Sequence, residues 1–550
     1  MIRKVFGKLL SRLIKTESSK GCNDEPCLLE NIENLDLTAD LEANLHRIKQ
    51  ILGDSPDLVI RSCRIGLKQE ISAAIIYIDG LVDKLLVNDD VMKALMLEVQ
   101  MVESKENLKR KHILESITES MLPASDVRNV KSLADFFDSV LSGDTAILVD
   151  GSAVGLVVST RGWKSRNVEE PASESVVRGP RDGFTENLRD NTALLRRRIK
   201  TPLLRIEAFK IGRLSRTDIE IAYIKGIADE KVVEEVRRRL RRIDVDHILE
   251  SAYIEELIED APFSLFSTVY RTERPDKLAG GIFEGRVGIL IDNTPFALLV
   301  PSVFAEWIQA VEDYYERYPM GSLIRLLRIA ALLSALLLPS FYVAITTHHQ
   351  EMLPTVLLLS ISAAREGVPF PAIVEAFIME LSFEVLREAG IRLPRPIGPA
   401  ISIIGGVIIG DAAVRAGLVG APMVVVVAFT GIASYAISGY TASITMRFLR
   451  FGVMVLSTVL GLYGVMLAVI AIIAHVVSLR SFGVPYLSPI APFNVRDLKD
   501  VFLRAPWWAM FKRPRLIGHN EPIRQDYFLM PRYFADEENE PVHERRDHDD

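Results

Sequence analysis

The sequence predicts an α/β soluble head of two duplicated subdomains, followed by an all-α, multi-span membrane domain. Three observations lead there. Five apolar stretches crowd into the last two-fifths of the 550 residues, after more than 300 residues of ordinary soluble character. Two pairs of similar segments recur in the same order within that soluble part. Inside each repeat, β-branched runs ended by glycine are followed by amphipathic helical patterns, as in alternating strands and helices.

The chain divides, on this reading, into a basic and polar arm (1–39), a first α/β subdomain (40–158), a charged joint (159–199), a second α/β subdomain (200–320), the membrane domain (321–480), an interfacial segment (481–534) and a disordered charged tail (535–550). Residues 1–16 (MIRKVFGKLLSRLIKT) are basic and amphipathic but lack the uninterrupted apolar core and cleavage site of a secretory signal. They read either as a cytoplasmic helix touching anionic lipid or as a solvated arm. The three cysteines, Cys22, Cys27 and Cys63, give no disulfide framework and suit a reducing compartment. A net charge of −7 argues against a general nucleic-acid binder.

The duplication is explicit. DLVIRSCRIG (57–66) is followed by YIDGLVD from Tyr77, and LLRIEAFKIG (203–212) by YIKGIAD from Tyr223, an offset of 146 residues. GDTAILVDGSAVGLVV from Gly143 matches GRVGILIDNTPFALLV from Gly285, an offset of 142. Within each copy, AAIIYIDG and DIEIAYIKG read as strands, and Val232, Val233, Val236, Leu240 and Ile243 fall at helical spacing. AILVDGSAVGLVV reads as a hairpin turning at Asp150-Gly151. The head carries no phosphate loop, nucleophile elbow or zinc spacing, so neither an enzyme nor a bound cofactor or metal is expected. The joint concentrates charge around Gly179-Pro180. Glu170, Arg178, Arg181 and Glu186 are the candidates there for a subunit interface, the alternative being a solvated charged loop.

In the membrane domain, Ile329–Thr346 is long enough to cross hydrocarbon, with Arg325 and Arg328 before it and no Lys or Arg directly after it. The positive-inside rule therefore places the head in the cytoplasm. Met352–Ala364 is too short to span. Pro371–Ala389 is amphipathic, with Glu380, Glu384, Arg387 and Glu388 on one side, facing the interface or a partner; Glu375 reads as a helix-edge carboxylate near the first turn. Residues 397–437 suit two helices broken near Gly417 to Pro422. Gly406, Gly410, Ala413 and Gly417 make a small-residue stripe for close helix packing, against either the same chain or a second copy. Asp411 and Arg415, four apart, read either as a mutually neutralised pair near the membrane surface or as the lining of a polar pore. Phe451–Leu479 reads as the longest span. Topology does not close: Arg447 and Arg450 precede that span while Arg480 and further basic residues follow it, so a single crossing cannot keep both sides inside. SFGVPYLSPIAPF (481–493) reads as ordered, non-helical and interfacial.

DLVIRSCRIG with YIDGLVD, the stretch 169–199, TERPDK (272–277), PFPAIVEAFIMELSFEVLREAGIRLP (369–394), IGPAISIIGGVIIGDAAV (397–414) and SFGVPYLSPIAPF together resemble the A-subunit family of spore germinant receptors, the GerA family, over residues 40–515. The resemblance implies an integral protein of the inner spore membrane, with a head of paired α/β subdomains. Its partners would be a transporter-like B subunit that binds nutrient and a lipoprotein C subunit. The A subunit would oligomerise into a nutrient-gated cation channel. Pore and gate candidates are then Asp411, Val414, Arg415 and Val419. The chain departs from the family pattern at Asp411, usually neutral and polar, at Arg415, often an acid, and at Phe266–Thr268, where a proline is usual. A secondary transporter and a family member that modulates germination without sensing nutrient are the competing readings.

Overall fold

The computed structural model describes residues 35–65, 71–93, 95, 127–162, 170–171, 173–392, 410–518, 520–526 and 529–531. Residues 1–34 of the arm, with Cys22 and Cys27, Gly406 and the tail 535–550 lie outside them. Compact packing divides the chain into two units, residues 1–51 with 58–162, and residues 52–57 with 163–550.

The first unit holds α1 (Leu41–Leu52), β1 (Leu58–Ile65), β2 (Ile71–Ile78), β3 (Val127–Val130), α2 (Leu133–Leu141), β4 (Thr145–Val149) and β5 (Gly155–Val158). Its five strands are antiparallel, in the order β1-β2-β4-β5-β3. The Asp150-Gly151 turn forms as expected, with Gly151 at φ +86°, a conformation glycine adopts freely. Ser132 caps α2 by accepting the Asp135 N–H. Phe136, Phe137, Val140 and Leu141 of α2 are buried, and the opposite face of the sheet collects Val87, Val91 and Leu95.

The second unit repeats this plan with α3 (Leu188–Arg198), β6 (Leu204–Ile211), β7 (Thr217–Ile224), α4 (Glu230–Arg242), α5 (Ser251–Ile258), β8 (Tyr270–Thr272), α6 (Pro275–Phe283), β9 (Val287–Ile291) and β10 (Ala297–Val300). The strand order β6-β7-β9-β10-β8 is that of the first sheet, position for position. Helices α4 and α5 cover one face and α3 and α6 the other. Apolar cover on both faces is why β9 reads VGILI without alternation. Helix α3 lies within the stretch expected as a charged joint.

A second duplication signal, missed in the sequence, is a buried asparagine clamp. Asn44 accepts the Thr38 N–H at 3.0 Å and donates to the Thr38 carbonyl at 2.6 Å. Asn191 does the same with Thr185 at 2.7 and 2.6 Å. The underlying pattern, LTADLEANL against FTENLRDNT, is too degenerate to stand out beside the strand motifs.

Beyond the second sheet come α7 (Tyr318–His348), α8 (Thr355–Arg365), α9 (Ala372–Arg392), α10 (Ala421–Tyr435) and α11 (Tyr440–Ser478). α7 and α11 are long and apolar enough to cross a membrane. α8 buries no residue, and at 11 residues it is short of a span.

The expected continuous span 451–479 is corrected by α11. Gly461 has φ +60° and ψ −141°, and the helix reverses there. A Cβ on Gly464 would overlap the carbonyl of Leu456, eight positions back, where a straight helix would separate them by about 12 Å. At the other end, the Thr445 hydroxyl donates to the Leu265 carbonyl (2.7 Å) and His475 Nε2 lies 2.9 Å from the neighbouring Ser264 hydroxyl. α11 is thus a hairpin of two arms, 440–460 and 462–478. Its tip meets the end of α7, where His348 Nε2 is 2.7 Å from the Thr458 carbonyl. Both ends of the hairpin return to the second subdomain, and residues 479–518 pack against that subdomain and the start of α7.

Candidate functional site

Two charge clusters order the helical region. In the first, Glu380 and Glu384, one turn apart on α9, meet Arg450 and Arg447, three apart on the first arm of α11. Arg450 also donates to the Ala335 carbonyl of α7 at 2.6 Å, so one guanidinium ties three helices. Arg387, over the rings of Phe383 (5.0 Å) and Tyr435 (4.7 Å), reaches Ser434 of α10 at 2.9 Å. The charged side of α9 therefore packs largely on its own chain, where the sequence suggested an interface or a partner. Arg447 and Arg450 are buried helix residues, already paired, which is why counting them as loop charges misled the topology.

The second cluster closes the break before α10. The helical turn from Gly410 ends at Gly417, whose φ of +66° terminates it. The Glu375 carboxylate, fully buried, accepts Arg365 Nε at 3.1 Å and the N–H of Gly420 at 2.8 Å. Gly420 is the N-cap of α10, so the charge also sits at the favourable end of that helix. Glu375 is thus a linchpin of the break and not an edge carboxylate. Its partners lie 10 and 45 positions away, beyond what spacing can suggest.

The expected pore residues fall on both faces of this segment. Gly410, Ala413 and Val419 are buried; a Cβ on Gly410 would meet Val424 of α10 at 3.5 Å, so Gly410 packs within the chain. Val414 is half-buried and also packs against that core. Asp411 and Arg415 point the other way. They pair at 2.8 Å with both side chains more than half exposed, 57% and 78%.

In the joint, Glu170, Arg178, Arg181 and Glu186 are all exposed, Arg178 lying 3.8 Å from Glu316. Their neighbours turn inward. Both oxygens of Asp182 accept from one Arg198 nitrogen (2.5 and 2.6 Å), and this contact, working against burial, holds the carboxyl below the ordinary carboxylate range. Burial pushes Glu174 up, although the Thr272 hydroxyl donates to it at 2.5 Å. Arg274, also buried, reaches Asp276 and the carbonyls of Glu174 and Pro180.

A third cluster joins the second subdomain to α7. Asp313 accepts from Arg325 (3.0 Å) and Arg328 (3.0 Å), and Arg325 also faces Asp500 of the C-terminal segment at 3.1 Å. The two arginines counted as flanking charges for the first span are therefore buried and neutralised. Among the described residues no group of three or more His, Cys, Asp or Glu side chains is placed to hold a metal.

The sequence of residues 46–516 matches the model of the Bacillus/Clostridium GerA spore germination protein family. Spore germination protein KA of Bacillus subtilis (strain 168) is 45% identical, the match covering 89% of each chain. Spore germination protein GerLA of Bacillus cereus is 38% identical over 88% of this chain and 96% of that protein. The crystal structure of the N-terminal domain of the A subunit of the Bacillus megaterium spore germinant receptor GerK3 is 40% identical, covering 49% of this chain and 97% of the other at a TM-score of 0.40. With the matched family region spanning both α/β repeats and the helical region, this chain belongs to the GerA family of spore germination proteins.

Proposed function

We propose that the chain is the A subunit of a nutrient germinant receptor, a non-enzymatic signalling subunit whose copies assemble around a nutrient-gated cation route. It would act with a transporter-like B subunit and a lipoprotein C subunit in the bacterial cytoplasmic or inner spore membrane, its head on the cytoplasmic side. The observation that carries this reading is the exposed Asp411–Arg415 pair. It sits beside apolar helices, where a charge facing hydrocarbon is costly and normally looks onto water, protein or a counter-ion. The opposite face of the same segment is sealed against α10 and α9. α8, apolar and with nothing buried, likewise calls for cover from lipid or another copy. Gating then amounts to a shift between two packings of these helices, biased by ligand on a partner subunit.

Potassium release from spores tests the reading. Asp411→Ala and Arg415→Ala spores should release potassium at an altered rate after nutrient addition, while Arg238→Ala, on the exposed face of α4, should leave it unchanged. Unaltered release in both pore variants contradicts a role for this face.

A further inference from the structure

The loop between α5 and β8 displays an apolar surface that the second α/β fold does not use. Phe263 is fully exposed at 101% and Leu265 at 51%, while Phe266 turns inward and stacks on Trp307 with ring centroids 5.2 Å apart. A fully bare phenylalanine next to Ala261-Pro262 costs solubility unless something covers it.

The loop is held in register with the helical hairpin at three points. Leu265 accepts from Thr445 on the first arm at 2.7 Å. Ser264 contacts His475 on the second arm at 2.9 Å. Asp260, at the loop's base, accepts the N–H of Phe482, just past the second arm, at 2.6 Å. Phe448, three positions from Thr445 and so on the same side of the first arm, is 64% exposed. The apolar surface of the hairpin thus runs on into Leu265 and Phe263.

Part of the loop's backbone pairs locally. The Ser264 N–H donates to the Ala261 carbonyl at 3.0 Å, the Phe266 N–H to the Ser264 hydroxyl at 3.1 Å, and position 262 is a proline without an N–H.

We propose that residues 261–265 are a lipid-inserted wedge, by which the α/β head dips Phe263 and Leu265 into the acyl-headgroup boundary beside the hairpin. The occupant is lipid and not a partner chain, because the surface continues that of the hairpin, whose neighbouring exposed side chain on this side, Phe448, is apolar. The wedge fixes the head's height on the bilayer and holds the two arms of α11 at that level. This inference rests on the membrane reading of α7 and α11.

The test is site-directed spin labelling of the full chain in vesicles of palmitoyl-oleoyl phosphatidylcholine. Cys22, Cys27 and Cys63 are replaced by serine, and nitroxides are placed through Phe263→Cys, Phe448→Cys and Leu214→Cys, the last an exposed site between β6 and β7. Collision with oxygen, concentrated in lipid, is compared with collision with a water-soluble nickel chelate. The wedge predicts that position 263 follows 448, favouring oxygen several-fold, while 214 favours nickel. If 263 follows 214 while 448 favours oxygen, the wedge is wrong and the membrane reading stands. If 263 is shielded from both reagents, protein covers it and the wedge is wrong. If 448 itself favours nickel, both readings fall.

Discussion

The carboxylate of Glu375 accepts the backbone N–H of Gly420 at 2.8 Å, 45 positions along the chain, while its other oxygen holds Arg365. One buried charge therefore fixes the start of α10, the end of α8 and the first turn of α9. Removing one member of a buried pair strands the other, at a cost of about 3–5 kcal/mol. Arg365 is about one-fifth exposed and recovers some hydration, which places Glu375→Ala toward the low end. Thermal unfolding in detergent of Glu375→Ala, Arg365→Ala and the double variant should show the double costing clearly less than the two singles summed. Additive losses would show that the two side chains do not act together.

The reversal at Gly461 demands glycine twice over. Its φ and ψ lie where side-chain-bearing residues are strained by roughly 1–3 kcal/mol, and a Cβ would press on His348 at 2.9 Å. Gly461→Ala should sharply lower the yield of folded protein. Gly452→Ala, in open space on the first arm, should be neutral or stabilise by about 0.5–1 kcal/mol. Equal behaviour of the two variants would contradict the hairpin.

The hairpin also sets topology. Single cysteines at Leu214, in the second subdomain, and at Arg515, in the C-terminal segment, should react with an impermeant maleimide from the same side of sealed vesicles. Labelling from opposite sides means that α11 crosses once.

The two asparagine clamps should weigh alike. Asn44→Ala and Asn191→Ala each take the partner from part-buried backbone groups of Thr38 and Thr185, at about 1 kcal/mol apiece. Hydrogen exchange of the full chain should accelerate around α1 in the first variant and around α3 in the second. Protection unchanged in either would mean that the clamp contributes nothing.

Glu259, at the end of α5, is pushed up from 4.5 to about 7, first by burial and then by Glu255, Glu256 and Asp260. A carboxyl whose folded value exceeds its unfolded one favours folding in its neutral form. Its contribution is complete below about pH 4.5 and is lost as pH rises through 7. Exchange protection of α5 should therefore fall between pH 5 and pH 8 by less in Glu259→Gln than in the unaltered chain. An identical fall in both assigns the pH dependence elsewhere.

The α/β repeats were legible because strand motifs recur locally: Tyr77 and Tyr223 announce equivalent strands without any knowledge of packing. The break at Gly417 to Pro422 was legible for the same reason, since glycine and proline act on their own backbone. What escaped was set by partners distant in sequence. Glu380 and Arg450 are 70 positions apart, and Arg325 and Asp500 are 175 apart, so each looked like a surface or flanking charge. The turn at Gly461 escaped because nothing in GLYGV marks it as different from the glycines of an uninterrupted apolar helix, such as Gly452. Asp411 and Arg415 stood out as charges four apart within an apolar run, and the geometry then added that their face is the open one.

Planar-bilayer recording of the purified chain, alone and with its B and C partners, under potassium and sodium gradients, tests the central proposal most directly. The account predicts cation currents that nutrient gates when the partners are present, with potassium-to-sodium selectivity altered by Asp411→Lys. Electrical silence under every condition, beside partners shown to bind both the chain and the nutrient, would contradict it.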